Sequence, residues 1–394
     1  MIGISKLYCG TVEPSDVLRY QDDSESIPSH LLQFSKDKKP VVVWNITRRC
    51  NLKCLHCYSQ SEDKEYKDEL TTDECKKVID NLAEFGVPVI IFSGGEPLLR
   101  KDIFELLSWT NQKGIRTVLS TNGTIITEKV AEKLRVANVS YVGISLDGME
   151  ETNGKFRGEK GAFQKAINGI RRCKNFRIKV GLRFTISKFN VKDIPEIFQL
   201  IVAEGIPRIC FYHLVYSGRG SELADQDLSH QETREIVDFI INETKRLFDK
   251  GMKKEVLTVD NHTDGVYLYL RLKKENPKRA EEVYELLKYN GGNNSGIAIG
   301  CVDWIGDVHP DQFWIHYSLG NVKQGRFSEI WMDESNEVMR IMKNRKGHIK
   351  GRCGKCRYFE ICNGNLRVRA EAVMGNIWES DPACYLTDEE IEIK

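Results

Sequence analysis

Between about residues 38 and 216 the chain switches hydrophobic period repeatedly, and this alternation limits its fold more than any other feature. "PVVVWNIT" (40–47) is β-rich, and "TTDECKKVIDNLAEFG" (71–86) repeats its apolar residues at helical spacing between a threonine start and a glycine stop. "PVIIFSGG", a helix from Asp102, "IRTVLSTNG", a helix from Thr127 and "SYVGISLDG" follow. A helix from Gly161, "IKVGLRFTIS", a helix from Val191 and "PRICFYHLVY" complete the series. Strands alternating with helices predict an α/β fold with a parallel sheet and right-handed crossovers. Six such units are too few for a closed eight-stranded barrel and suit an open, partial (βα)6 barrel of the TIM type.

Ligands of parallel α/β folds sit at the carboxyl ends of the strands. Here those ends read "RRCNLKC", "SGGEP", "STNG", "SLDG", "TISKFN" and "YHLVYSGRG", all polar and most containing glycine. The first places Cys50, Cys54 and Cys57 within eight residues in a C-x3-C-x2-C pattern. Three thiolates can hold three irons of a [4Fe–4S] cube and leave the fourth iron open, the mark of a catalytic metal site. Zinc would need a fourth ligand, and His56, wedged between two of the cysteines, is the only local candidate.

The chain divides into an N-terminal extension (1–37), the barrel (38–216), a polar, helix-rich connecting region (217–295) and a small cysteine-containing domain (296–394), with "GGNNSG" (291–296) as the boundary loop. In the last domain Cys353, Cys356, Cys362 and Cys384 form C-x2-C-x5-C-x21-C, enough for a closed structural site holding either zinc or a second [4Fe–4S] cluster. Cys9, Cys75, Cys173, Cys210 and Cys301 are scattered, as small buried hydrophobes are. Disulfide frameworks belong to small secreted domains, and the N-terminus does not read as a signal peptide. No apolar run approaches the roughly 20 residues that span a bilayer. The expectation is a cytoplasmic metalloprotein with no membrane contact. With 58 basic and 57 acidic residues, nothing predicts a nucleic-acid partner.

"CNLKCLHC" followed one unit later by "SGGEP" resembles the radical S-adenosylmethionine (SAM) superfamily. The resemblance covers roughly residues 40–216. It implies that Cys50, Cys54 and Cys57 ligate a cluster whose open iron is chelated by SAM. Reduction would then yield methionine and a 5′-deoxyadenosyl radical, chemistry carried by the cofactor. It further implies SAM contacts from Gly94, Gly95 and Glu96, with the Glu96 carboxylate accepting from the SAM ammonium. Ser145 and Asp147 would contact ribose or carboxylate, Arg157 would pair with the SAM carboxylate, and Asn122 is a further candidate. The C-terminal cysteines and "GNV…FSEIW" resemble the SPASM/twitch extension, which carries auxiliary clusters. The two-cluster version has a further cysteine where this chain has Leu366, and only Cys301 survives of the other ligand set, so one auxiliary cluster is expected.

Stretches along the whole chain, among them "MIGISKLYCGTVEPSDVLRY", "CFYHLVYSGRGS", "EVLTVDNHTDG" and "ICNGNLRVRAEA", resemble the tetrapyrrole-modifying radical SAM enzymes, nearest the 12,18-didecarboxysiroheme deacetylase group. That implies removal of two acetate side chains to give iron-coproporphyrin III, an iron tetrapyrrole substrate, and a low-potential ferredoxin- or flavodoxin-type electron donor. Candidate contacts for such a substrate form a pool: Arg183, Tyr212, His213, Arg219, Trp314, Arg367 and Arg369, with His262, His309 and His316 as possible approaches to its iron. The rival readings are a propionate-removing relative that serves nitrite-reductase dioxo-haem, a decarboxylating haem synthase, a SPASM-type peptide modifier, and a non-catalytic iron–sulfur or zinc protein.

Overall fold

A computed structural model describes residues 1–13, 16, 19 and 39–392 of the chain. Most of the expected N-terminal extension therefore lies outside the described residues. The strands are β1 (Ile2–Gly3), β2 (Val41–Thr47), β3 (Val89–Gly94), β4 (Arg116–Thr121), β5 (Tyr141–Ser145), β6 (Val180–Thr185), β7 (Arg208–Tyr212), β8 (Glu255–Val259), β9 (Ile299–Val302), β10 (Asp307–His309) and β11 (Gly320–Asn321). They form one sheet in the order β1-β8-β7-β6-β5-β4-β3-β2-β9-β10-β11. Every pair from β2 through β8 is parallel, joined by helical crossovers, which makes an open partial barrel.

Local signals explain the crossovers. Thr71 caps the helix Thr72–Phe85 in a reciprocal box with Glu74, and Gly86 ends it at φ 85°. Thr127 caps Glu128–Val136 by accepting from the Val130 N–H. Strand parity then separates two faces. Trp44, Ile46, Ile90, Phe92, Leu119, Val142, Ile144, Leu182, Phe184 and Ile209 pack outward against helix residues such as Val78, Leu106, Leu134, Ile170 and Ile240. Cys75 and Cys173 lie in that layer with no exposure, the buried role expected of them. The opposite parity faces the concave interior in two smaller apolar groups, Val89, Val118 and Tyr141 near one edge and Cys210, Leu257 and Val259 near the other.

Three features depart from the segment-by-segment expectation. The connecting region supplies β8, which continues the parallel run beyond β7. Residues Ile2–Gly3 pair antiparallel with β8, so the start of the chain belongs to the barrel edge. The small domain begins as a strand parallel to β2, so the same sheet runs on into it. "GGNNSG" is no loose boundary either. Asn293 is 3% exposed, its side-chain oxygen accepts from Arg345 at 2.8 Å, and its carbonyl accepts from the Asn363 side chain at 2.8 Å. No helix among the described residues is long and apolar enough to cross a membrane.

The last domain is tied to the barrel by Arg369. Its guanidinium pairs with Asp381 at 3.0 Å, both side chains being fully buried, and donates to the carbonyls of Leu214 (3.0 Å) and Asp260 (2.8 Å), just beyond β7 and β8. Removing one partner of such a pair strands the other charge in the interior, so Arg369→Ala should destabilise the fold by about 3–5 kcal/mol. Thermal or denaturant melting that shows a loss under about 1 kcal/mol would mean that water reaches Asp381.

Candidate functional site

The cysteine loop follows β2 directly. Its neck is closed by a bridge between Arg49 and Glu62, with the Cys50 N–H donating to the Glu62 carbonyl at 3.1 Å. Leu55 N–H donates to the carbonyl of Phe156 at 3.0 Å, fixing the loop to the helix Glu150–Arg157. A third hold comes from "SGRG": Arg219 donates through Nε to the Cys54 carbonyl (2.8 Å) and through its backbone N–H to the Cys57 carbonyl (3.0 Å). Gly218, at φ +57°, lies so close that a Cβ would stand 2.6 Å from the Cys57 carbonyl oxygen. Arg219 therefore clamps the cysteine loop and leaves the substrate pool. Its signal was an arginine flanked by glycines, which permit close backbone approach.

Each thiol has donors. Cys50 Sγ accepts from the Leu52 N–H (3.4 Å) and faces Asn122 Nδ2 at 3.9 Å. Cys54 Sγ accepts from Arg157 at 3.5 Å. Cys57 Sγ lies 3.3 Å from Ser59 Oγ and accepts from the Ser61 N–H at 3.5 Å. Burial, helped by the Glu96 charge, pushes the Cys50 thiol up to about 12. Burial also raises Cys54, against the pull of Arg157. Buried thiolates with oriented N–H donors suit a positively charged iron core, which supplies the missing compensation. His56, the zinc candidate, instead stacks on Phe156 (4.7 Å between ring centres), with Nε2 3.9 Å from Asp147. Among the described residues no three His, Cys, Asp or Glu side chains converge as the ligands of one ion would. Thiolates around a cube stand further apart, because each bonds a different iron.

The other strand ends gather beside this loop. Gly94 (φ 120°) and Gly95 stitch β3 to the loop entrance: Gly95 N–H donates to the Thr47 carbonyl (2.7 Å) and Glu96 N–H to the Arg49 carbonyl (2.8 Å). The Glu96 carboxylate is fully buried and accepts from Thr121 Oγ1 (2.8 Å), Asn122 N–H (2.8 Å) and Leu98 N–H (3.1 Å). It braces the turn after β4. Burial outweighs those bonds and lifts its pKa to about 7. Asn122 accepts from Thr124 and donates to Asn51 (2.9 Å), which joins this turn to the cysteine loop. Asp147, also fully buried, is ion-paired with Arg157 and accepts from the Thr185 N–H at 2.6 Å. Here Arg157 thus bridges Asp147 and Cys54. Ser145 ends β5, in register with Arg183.

The second cysteine group is brought together as expected. Cys353, Cys356, Cys362 and Cys384 all line one cavity, with Arg352, Thr263, Asn365 and Phe359 around it. Arg352 donates to Cys384 Sγ at 3.1 Å and Tyr358 N–H to Cys356 Sγ at 3.4 Å. Leu366, which replaces the further cysteine, is buried in an apolar cluster with Phe313, Trp314 and Val368. Cys301 is absent from this cavity lining. It is fully buried on β9, its sulfur accepting from Asn45 at 3.6 Å.

Much of the substrate pool proves structural. Arg367 and Arg369 are fully buried, with Arg367 donating to the Ile377 carbonyl at 3.1 Å. His213 pairs with Asp264 (2.8 Å), His309 is fully buried and bonded to the Tyr317 carbonyl (2.8 Å), and His262 Nε2 lies 3.3 Å from the Met1 nitrogen. His316 is exposed against Glu371, and Trp314 is 1% exposed. Arg183 and Tyr212, on β6 and β7, share the concave parity and are only partly buried.

The radical SAM superfamily model matches residues 44–201, and an iron–sulfur cluster-binding domain model matches 299–357. The chain is 64% identical over 394 residues to the Fe-coproporphyrin III synthase of Methanosarcina barkeri, covering 99% of each. It is 42% identical over 353 residues to the pre-heme d1 synthase of Dinoroseobacter shibae, covering 89% of this chain and 87% of that one. Among solved structures, native anSMEcpe with bound AdoMet and a peptide superposes with a TM-score of 0.68 at 18% identity, covering 90% of this chain and 96% of that one.

Two outcomes follow from this geometry. Gly218→Ala, which intrudes on the cysteine loop, should lower iron from about eight to about four per chain while the C-terminal site stays loaded. Full iron content in the variant would mean that the clamp is dispensable. Glu96 has a folded pKa of about 7 against an ordinary 4.5. Between these values the folded chain holds a proton that the unfolded chain has released, so stability falls as pH rises from about 4.5 to about 7. Glu96→Gln should flatten that fall, and an unchanged slope of melting temperature against pH would show that Glu96 is ionised throughout.

Proposed function

Because the chain belongs to the radical SAM superfamily and is a radical SAM enzyme with a second, SPASM-type iron–sulfur domain, we propose that it removes the two acetate side chains of 12,18-didecarboxysiroheme to give iron-coproporphyrin III. The observation that carries this reading is 64% identity, end to end on both chains, to a protein named for making Fe-coproporphyrin III. Likeness to anSMEcpe at 18% identity speaks for the fold alone, so it lends the peptide reading no weight. The pre-heme d1 synthase match, at 42%, keeps the propionate-removing reaction as the rival.

On this reading Cys50, Cys54 and Cys57 hold the SAM-binding [4Fe–4S] cluster, and Cys353, Cys356, Cys362 and Cys384 hold the auxiliary one. The cluster and SAM, when bound, supply an adenosyl radical able to abstract hydrogen from an unactivated carbon. The chain's own part is to position and shield. Arg157 places a permanent cation beside Cys54, where burial opposes its charge and Asp147 with Cys54 outweighs that opposition. Asn122 and the Leu52 N–H do the same for Cys50 with dipoles. Hydrogen bonds to cluster sulfurs raise the reduction potential, so these donors ease electron entry from a ferredoxin- or flavodoxin-type partner. Ser145 and the Gly94–Gly95 backbone remain our assigned SAM contacts. We assign Glu96 and Asp147 to support, as braces of the Asn122 turn and of Arg157.

Reduced, cluster-replete enzyme incubated with SAM and didecarboxysiroheme should give a product lighter by two acetate groups, read by mass. Loss of propionate mass instead would select the rival, and deoxyadenosine release stimulated only by a peptide would overturn both. Cys54→Ala should abolish deoxyadenosine formation. Cleavage at the wild-type rate in that variant would refute the three-cysteine assignment.

A further inference from the structure

One side chain inside the barrel is built in a way that no structural role explains. Arg183 rises from the concave face of β6 and crosses β5 to donate to Ser120 Oγ on β4. It can do so because Gly143, on the strand it crosses, has no side chain: a Cβ there would lie 3.0 Å from the guanidinium carbon. The next glycine in register, Gly181, clears the space that the Tyr141 hydroxyl fills. Two glycines inside strands weaken them and mark close approach, so the opening is a specific feature.

The charge of Arg183 is offset by no carboxylate among the described residues. Among the described residues it forms no ion pair, and its one hydrogen bond is to a neutral hydroxyl. The ionisable groups acting on it are Tyr212, Tyr141, Cys210 and Arg208. Burial pushes Tyr141 up to about 12 and also raises Tyr212, so both are neutral near pH 7. Arg208 is itself a cation and has Glu255 at 3.6 Å. By contrast Arg157 is paired with Asp147, and Arg369 with Asp381. Arg183 also lies near the reaction centre: it is in register with Ser145 and acts electrostatically on Tyr58, the residue after Cys57. Tyr58 donates to Asn45 (2.9 Å) and lies 3.3 Å from Ser93 Oγ, adding neutral polar groups to the same interior.

The geometry points to Arg183 as the anchor for a substrate carboxylate inside the barrel. A guanidinium with four N–H groups that find no acceptor among the described residues, next to neutral phenols and hydroxyls, offers the planar fork that a carboxylate matches bidentately. This inference rests on the tetrapyrrole reading, in which the substrate carries several carboxylates, and adds which residue grips one of them.

The test uses cluster-replete wild type, Arg183→Gln and Arg183→Lys, each titrated anaerobically with iron-coproporphyrin III and with its tetramethyl ester, following the Soret band. Wild type should bind the acid more tightly than the ester. Arg183→Gln should weaken acid binding about 10- to 100-fold and leave ester binding within about twofold. Arg183→Lys should recover part of the loss, since it restores the charge and lacks the fork. Equal losses for acid and ester, or no loss for either, overturn the anchor while the tetrapyrrole reading stands. If wild type binds neither compound, the reading falls and takes the anchor with it.

Discussion

Three thiolates within eight residues, two of them buried, set the terms for everything around them. Cys50 and Cys54 are each less than a tenth exposed, and burial drives both thiols toward their neutral forms. Only positive charge and directed N–H groups reverse that preference. The surrounding fold supplies both from separate elements: Arg157 from the helix after β5, Asn122 from the turn after β4, and the loop's own amides. A parallel barrel suits this task because all its strand ends open on one side, so residues far apart in sequence meet without long loops.

Compensation around the site proceeds in layers. Asp147 balances Arg157, and Thr185 N–H and Asn153 fix Asp147. Glu96 holds Thr121 and the Asn122 amide, and Asn122 in turn holds Asn51 and Thr124. Groups that would be ligand contacts in isolation are thereby occupied with one another. The barrel interior differs, since Arg183 meets neutral groups there, the Ser120 hydroxyl and the Tyr141 and Tyr212 phenols, while Arg19 and Arg208 share Glu255.

The sequence carried much of this openly. Alternating periods announced the barrel, the helix caps fell on Thr71 and Thr127, and the cysteine spacings marked both groups that the structure brings together. Local pattern could not reveal what depends on pairing at a distance. "EVLTV" is a short apolar run inside a polar region, and only β7 makes it a strand. Ile2 and Gly3 become strand only against Leu257 and Thr258. Arg219, Arg367 and Arg369 looked like substrate cations because charge is visible in a sequence, while the carbonyls and carboxylates that consume it belong to residues more than a hundred positions away or to a local turn. Likewise "GGNNSG" has the composition of a linker, and Arg345 with Asn363 turns it into a buried corner.

The pairing of Ile2–Gly3 with Leu257–Thr258 carries a consequence for how the molecule is made. Ile2 and Gly3 leave the ribosome before their partner strand exists, and at about 5–20 residues per second that partner emerges roughly 10–50 s later. Throughout that interval the growing chain has an unfinished margin, and an unpaired apolar segment must stay out of trouble in a crowded cell. Translation speed, or a chaperone that covers nascent chains, therefore has a point of leverage on the yield of this enzyme, well before any iron is inserted.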